Sequence, residues 1–248
     1  MDTAPFTLEI TQDAPAVFHA PPCSGSLDLR LGDCMEGMKT FPDGYFDLAI
    51  VDPPYGIGRD GQKETNTKNA IHRRRKWESK GWDAATPRPE YFDELRRVSK
   101  HQIVWGANYM TPHLPPSMGW IYWDKGQKLS MSDGELAFCS MQRALRSVTF
   151  NRCEAREDGL IHPTQKPVKL YKWLLENYAK PGQRVLDTHM GSGSIAIAAH
   201  YCGIHLTAYE IDADYFHAAK ARIARETAQA ELFSPQNASL SHGDESAR

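Results

Sequence analysis

The chain has 248 residues, 41% hydrophobic and 24% charged, which suits one domain with a real core and is ordinary for a globular enzyme. Its formal net charge of -2 advertises no global affinity for nucleic acid, so any such surface must be local. Five scattered cysteines with no CxxC pair predict free thiols in a reducing cytosol, not a disulfide framework or a zinc site. The histidines show no metal-binding spacing, no apolar run reaches the length of a membrane span, and the N-terminus lacks a signal-peptide pattern. No metal and no membrane partner are therefore expected.

Residues 1–26 are rich in Pro, Ala and Ser without periodicity and read as a flexible arm. SLDLRLGD (26–33) alternates Leu27, Leu29 and Leu31 with Asp28 and Arg30, which predicts a strand with one solvated face near a sheet edge. CMEGMKTF is a short helix closed by the turn PDG. YFDLAIV (45–51) is almost continuously apolar, as in a strand buried on both faces. PEYFDELRRVSK (89–100) is helical, with Pro89 at its start, acids early and cations late. HQIVWGANY (101–109) is another buried strand, and GWIYWDK (119–125) and GELAFCS (134–140) are two more, paired with each other.

QKPVKLYKWLLENYAK (165–180) sets Val168, Tyr171, Leu174, Leu175 and Tyr178 at helical spacing. RVLDTHMGSGSIAIAAHYCG is a strand, a Gly-rich loop and a small-residue helix; IHLTAYEID is the next strand and ADYFHAAKARIARETAQAEL the last helix. The tail, 233–248, is polar and expected to be disordered. Strands alternating with helices predict one doubly wound α/β domain over 27–232 with a mostly parallel sheet. Irregular stretches at 57–88 and 140–165 break the alternation, and loops of that length in a compact domain are usually functional or mobile.

Two half-sites lie far apart in the chain. In VLDTHMGSGS followed by AYEID, a strand ends in Asp187, Gly191 and Gly193 allow a tight turn into a helix, and Glu210 ends the next strand. An acid about twenty residues past a Gly-rich turn suits two ribose hydroxyls, and Asp187 can accept from a cationic amino group. GSGS is not the dinucleotide fingerprint. In VDPPYG, Asp52 offers acceptor oxygens, Pro53 a carbonyl, and Tyr55 a flat ring, while Pro53 and Pro54 stop the strand. Such a set fits a planar group with an exocyclic amine: two acceptors hold its N–H donors while the ring stacks. Drawing on both protons moves the nitrogen toward tetrahedral geometry and frees its lone pair, and the same acceptors stabilise the positive charge that follows.

With these motifs in hand, the chain resembles the S-adenosylmethionine-dependent DNA amino-methyltransferases of the N6-adenine/N4-cytosine group, in the β-class order with the catalytic motif first. The resemblance spans 27–228 and rests on GDC (32–34), VDPPYG (51–56), WGANY (105–109), WIYWDK (120–125), HPTQKP (162–167), LDTHMGSGS (186–194) and YEID (209–212). It implies a seven-stranded Rossmann-like methyltransferase sheet with permuted strand order, in which the strand before Asp33 is third in the sheet though first in the chain. It also implies S-adenosylmethionine as cofactor. Asp187, Gly191, Gly193 and Ser194 would cradle its methionine part, Glu210 with Ile211 its ribose, and Asp33 and Cys34 its adenine. Thr164, Gln165 and Lys166 would border its carboxylate. Asp52, Pro53, Pro54 and Tyr55 would be catalytic and hold a flipped base. His189, which the resemblance also places at the cofactor, departs from the family, which commonly has Phe there.

Double-stranded DNA is the partner the resemblance implies. Lys63, Lys68, Arg73, Arg74, Arg75, Lys76 and Lys80 against Glu64 and Glu78 leave a surplus of five positive charges just after the base motif, suited to phosphates. Trp77 and Trp82 interleave with this run and can stack or wedge. Lys125 and Lys128 open a second loop, 125–161, which also carries Arg143, Arg146, Arg152 and Arg156. The expectation is a cytosolic, bacterial or phage-encoded, site-specific adenine-N6 methyltransferase that flips its base. An acid in DPPY leans to adenine, with cytosine-N4 as the alternative. RNA or protein methylation and a non-catalytic partner subunit are weaker rivals. A homodimer is expected because one small subunit has little surface to span a duplex site, and a cognate restriction endonuclease remains open as a further partner.

Overall fold

The computed structural model describes residues 25–61, 76–126, 132–151 and 160–232. The arm up to 24 and the tail from 233 therefore lie outside the described residues. In chain order the elements are β1 (Leu27–Leu31), α1 (Cys34–Met38), β2 (Leu48–Val51), α2 (Pro89–Val98), β3 (Gln102–Trp105), β4 (Gly119–Asp124), β5 (Gly134–Cys139), β6 (Arg146–Thr149), α3 (Val168–Tyr178), β7 (Arg184–Asp187), α4 (Ser194–Cys202), β8 (His205–Glu210) and α5 (Ala213–Leu232). The strands form one sheet in the order β1-β8-β7-β2-β3-β5-β4-β6. Only β5 runs against the rest: its pairings with β3 and β4 are antiparallel, and every other pairing is parallel.

Successive residues of a strand point to opposite faces, and both faces here are apolar. Leu48 and Ile50 of β2 pack with α3, α4 and α5, whereas Ala49 and Val51 pack with α1 and α2. That double burial explains the uninterrupted apolar run of β2. Helix α2 begins on Pro89, carries Glu90 in its first turn and Arg96 and Arg97 in its last, and buries Tyr91, Phe92, Leu95 and Val98. Helix α4 is nearly all buried, and Ala196, Ala198 and Ala199 let it lie close between the sheet and its neighbouring helices.

The adjacent strands β2 and β7 send their following helices to opposite faces, so the sheet's switch point lies between them. A crevice beyond the carboxyl ends of the strands is the geometric consequence. β1 sits on the sheet edge beside β8, at the end of the strand order and not third in it; Leu27 and Leu29 pack on the core as their alternation predicts, whereas Leu31 is 48% exposed and Arg30 half-buried. The β4–β5 pairing also agrees with the sequence reading.

Among the described residues the sheet has eight strands where the resemblance implies seven. The additional strand, β6, falls in the stretch 140–165 that the sequence marks as irregular. Its RSVT run has a single half-buried apolar residue, Val148, and β6 pairs only with β4. An exposed edge strand of four residues carries no burial period to read.

Candidate active site

Four neighbouring parallel strands, β2, β7, β8 and β1, each deliver an acid at or just past their carboxyl ends: Asp52, Asp187, Glu210 and Asp33. Asp33 caps α1 by accepting from the Met35 N–H at 2.8 Å. Burial first, with Asp33 adding to it, pushes the neighbouring Cys34 thiol up to about 12, so it stays protonated.

In the β7–β8 half, no cation among the described residues pairs with Asp187 or Glu210. Asp187, 3% exposed, accepts from the His189 N–H at 3.0 Å, and burial raises its carboxyl to about 8. Glu210 accepts from the N–H groups of Gly191 at 2.8 Å and Asp212 at 2.9 Å, and burial raises it as well. Each Glu210 oxygen keeps a lone pair to spare. Gly191 and Gly193 sit at φ of 52° and 73°, and a Cβ on Gly193 would lie 2.7 Å from Ile223 Cδ1. Ser194 Oγ donates to the Lys166 carbonyl at 2.8 Å, tying the Gly-rich loop to the HPTQKP segment. Ile211 is 68% exposed beside Glu210.

His189 Nδ1 lies 2.8 Å from Thr188 Oγ1, which meets the Tyr91 hydroxyl at 2.7 Å, and its ring packs edge-on against Tyr91 at 5.6 Å. Burial lowers its imidazole to about 4, so it is a neutral aromatic ring. That is the part a Phe would play.

The β2 half is cross-linked. The Tyr55 hydroxyl donates to Asp52 Oδ1 at 2.6 Å, and Lys166 Nζ donates to Asp52 Oδ2 at 2.5 Å. Lys166 also meets Glu135 Oε2 of β5 at 3.1 Å, and Lys125 Nζ meets Glu135 Oε1 at 2.8 Å. Burial raises the Asp52 carboxyl. Glu135 is driven down to about 2, because Lys166 and Lys125 outweigh its own burial. Pro53 is buried, and Pro54 is half-buried in the same turn. The Tyr55 ring stacks on the 46% exposed Tyr109 at 5.4 Å and 17°. Gly106, at φ 66°, leaves the space for it, since a Cβ there would lie 2.1 Å from Tyr55 Cε1.

Of the HPTQKP side chains, Thr164 Oγ1 lies 3.2 Å from His162 Nδ1, and Gln165 Oε1 accepts from the Ile161 N–H at 3.1 Å. Only the backbone of Lys166 meets the Gly-rich loop; its ammonium joins Asp52. Lys125, grouped above with DNA-contacting residues, is engaged by Glu135. Lys76 is exposed and Trp77 half-buried. Lys63, Lys68, Arg73, Arg74, Arg75 and Lys128 lie outside the described residues.

Three residues that hold the site escaped the sequence reading. Asp83, 2% exposed, accepts from the N–H groups of Tyr55 at 2.7 Å and Gly56 at 2.8 Å through Oδ1, and of Arg59 at 2.7 Å through Oδ2. It pins the DPPYG turn. Arg222, 1% exposed on α5, donates to the Ser192 carbonyl at 2.9 Å and Ser194 Oγ at 3.0 Å. Glu135 is the third. The one usable signal was Asp83, an acid between Trp82 and a small-residue run in an otherwise basic stretch.

A permuted α/β sheet with acids at four consecutive strand ends is the frame of a Rossmann-like methyltransferase. Residues 104–221 match the N6_N4_Mtase family model, described as DNA methylase. YubD of Escherichia coli (strain K12) is 26% identical over 210 residues, covering 78% of this chain and 88% of that protein. The type II methyltransferase M.HinfI of Haemophilus influenzae is 22% identical over 243 residues, covering 77% and 67%. Two solved structures share the fold at a TM-score of 0.53. One is the M1.HpyAVI complex with SAM, 17% identical over 80% of this chain and 99% of that one. The other is the PvuII DNA methyltransferase (cytosine-N4-specific), 14% identical over 85% and 94%. The family match over residues 104–221, together with these relatives and the shared fold, supports an N6-adenine/N4-cytosine DNA amino-methyltransferase.

Proposed function

We propose that the protein is a site-specific DNA adenine-N6 methyltransferase that transfers a methyl group from S-adenosylmethionine to an adenine turned out of duplex DNA. The observation that carries this reading is the Asp52 carboxylate, held by Tyr55 and Lys166 at the end of β2, with Asp187 one strand away and Glu210 two, neither paired with a cation among the described residues.

The cofactor fits those acids. A buried carboxyl that holds its proton to about 8 suits the neighbourhood of a cationic amino group, and Glu210 has lone pairs left for two hydroxyls. S-adenosylmethionine, when bound, supplies an electrophilic methyl group. Asp187 pairs with its amino group, Glu210 and Ile211 hold its ribose side, and Asp33 and the Cys34 backbone border its adenine. Gly191 and Gly193 admit its methionine part, with Ser194, Thr164 and Gln165 at the border.

Asp52 Oδ and the Pro53 carbonyl accept the two amine hydrogens of the target base. This localises the nitrogen lone pair and stabilises the charge that develops on the nitrogen. The base stacks on Tyr55 once Tyr109 swings off its ring. The basic run from Lys63 to Lys80 takes the phosphates, and a second copy of the chain extends the surface along the duplex.

Adenine is preferred on the acid of DPPY. Cytosine presents the same two N–H donors, and one fold neighbour is cytosine-N4-specific. Duplex DNA incubated with the purified protein and S-adenosylmethionine, then digested to nucleosides, is expected to yield N6-methyladenine. N4-methylcytosine in its place would move the reading to cytosine, and absence of methyl transfer would overturn it.

A further inference from the structure

A lysine 3% exposed sits between two carboxylates at the base site, and the methyl-transfer chemistry proposed above does not by itself need it or the second acid. Tyr55 and Lys166 bridge Asp52 to Glu135, and Lys125 closes the group. Two carboxylates and two ammoniums make a neutral set. Their separation along the chain, from 52 to 166, means the sheet alone assembles them.

We infer that Glu135 is a positioning residue for methyl transfer: by sharing the Lys166 ammonium, it leaves Asp52 free to accept hydrogens, and finally a proton, from the target amine. The inference rests on the functional reading above. When the amine lone pair forms the new N–C bond, the C–S electron pair departs with sulfur and the nitrogen becomes cationic. One N–H proton then passes to Asp52, and the methylated amine is neutral. At that moment Lys166 faces a neutral acid. A buried ammonium without a counterion is costly, so a lone Asp52–Lys166 pair would resist the transfer. Glu135, kept ionised between Lys166 and Lys125, remains as the counterion.

Asp52 is also faced by Tyr55 from its own turn, Asp187 from β7, Tyr91 from α2 and Tyr171 from α3. Burial and the Glu135 charge oppose ionisation of Asp52, Lys166 and the Tyr55 hydroxyl favour the ionised form, the Asp52 charge in turn helps raise Asp187, and the two other phenols stay neutral. Lys166 is the one cation that touches Asp52 among the described residues.

Glu135→Gln keeps the shape and removes the charge. Lys166 then turns wholly to Asp52, lowers its proton affinity and makes it a poorer acceptor. In single-turnover transfer against pH, the acid limb is expected to move to lower pH, and the plateau to fall about tenfold or more while the cofactor Kd is unchanged. Lys166→Met moves the limb the opposite way, and the double variant is less impaired than the product of the two single effects. A second readout needs no turnover: with 13C-labelled aspartate, the Asp52 carboxyl of the cofactor-free protein titrates lower in Glu135→Gln than in wild type. If Glu135→Gln fails to fold, Lys166→Met carries the test through the same titration, moved upward. Wild-type protein that transfers no methyl group sinks the functional reading and leaves the titration intact. Active wild type with an unmoved acid limb and unmoved titration in the variants sinks the role of Glu135.

Discussion

The two halves of the site solve the burial of carboxylates in opposite ways. Around Asp52 and Glu135, two lysines and a phenol hydroxyl meet the acids directly, and the group is neutral within the protein. Around Asp187 and Glu210 the acids receive backbone N–H groups, and both carboxyls are raised by burial. The first half is complete in itself and must be opened by its ligand. The second receives no cation among the described residues, so a ligand that brings positive charge would complete it. This is the contrast expected between a site for a neutral base and a site for a cationic cofactor.

Removing the acid from each half separates them most sharply. Asp52→Ala is expected to abolish transfer, by roughly a thousandfold or more, because both the amine acceptor and its charge stabilisation go. Cofactor binding, measured by calorimetry, stays within about twofold, since the cation-free half is untouched. Undiminished transfer would refute the role of Asp52.

The second half responds to pH. In the cofactor-free protein Asp187 is protonated below about 8, so a cationic amino group must displace a proton to bind. Affinity is expected to weaken by up to about tenfold per pH unit below that value, with proton release visible when calorimetry is repeated in buffers of different ionisation enthalpy. The folded carboxyl is raised above its unfolded value, so the folded state holds the proton longer. Stability of the cofactor-free protein therefore declines as pH rises from the ordinary carboxylate range to about 8, and saturating cofactor removes that decline. A pH-independent Kd in Asp187→Asn and in wild type alike would break the contrast.

Asp83→Ala tests how the first half is held. It strands three N–H groups of the DPPYG turn, at a cost of about 3 kcal/mol in thermal or denaturant unfolding. It also loosens Tyr55, so transfer falls by about a hundredfold with cofactor affinity kept. The smallest effect is expected from His189→Phe. The ring is neutral and packs on Tyr91, so the variant loses only the contact with Thr188, about 1 kcal/mol, and transfers normally.

The DPPYG turn and the Gly-rich loop were legible in the sequence because their chemistry is local. An acid before two prolines and an aromatic, or two glycines after an acid-terminated strand, declares its geometry within a few residues. The buried strands were legible for the same reason: double burial writes an unbroken apolar run. β6 was not, since an edge strand buries too little to leave a pattern. Asp83 and Arg222 were not, since each is an ordinary charged residue whose partners stand 24 or more positions away, and neither was Glu135, whose link to the site runs through Lys166, 31 positions on.

The sequence by itself therefore determined the alternation of strands and helices, the family resemblance, and two motifs suited to an amine-bearing base and a cationic cofactor. Only the tertiary structure decided that these motifs leave adjacent strands at the switch point, that Lys166 sends its ammonium to Asp52, and that Glu135 shares it. Turn chemistry and burial period act over a few residues and can be read along the chain. Pairing of buried charges depends on which strands lie side by side, and that follows from the packing of the whole sheet.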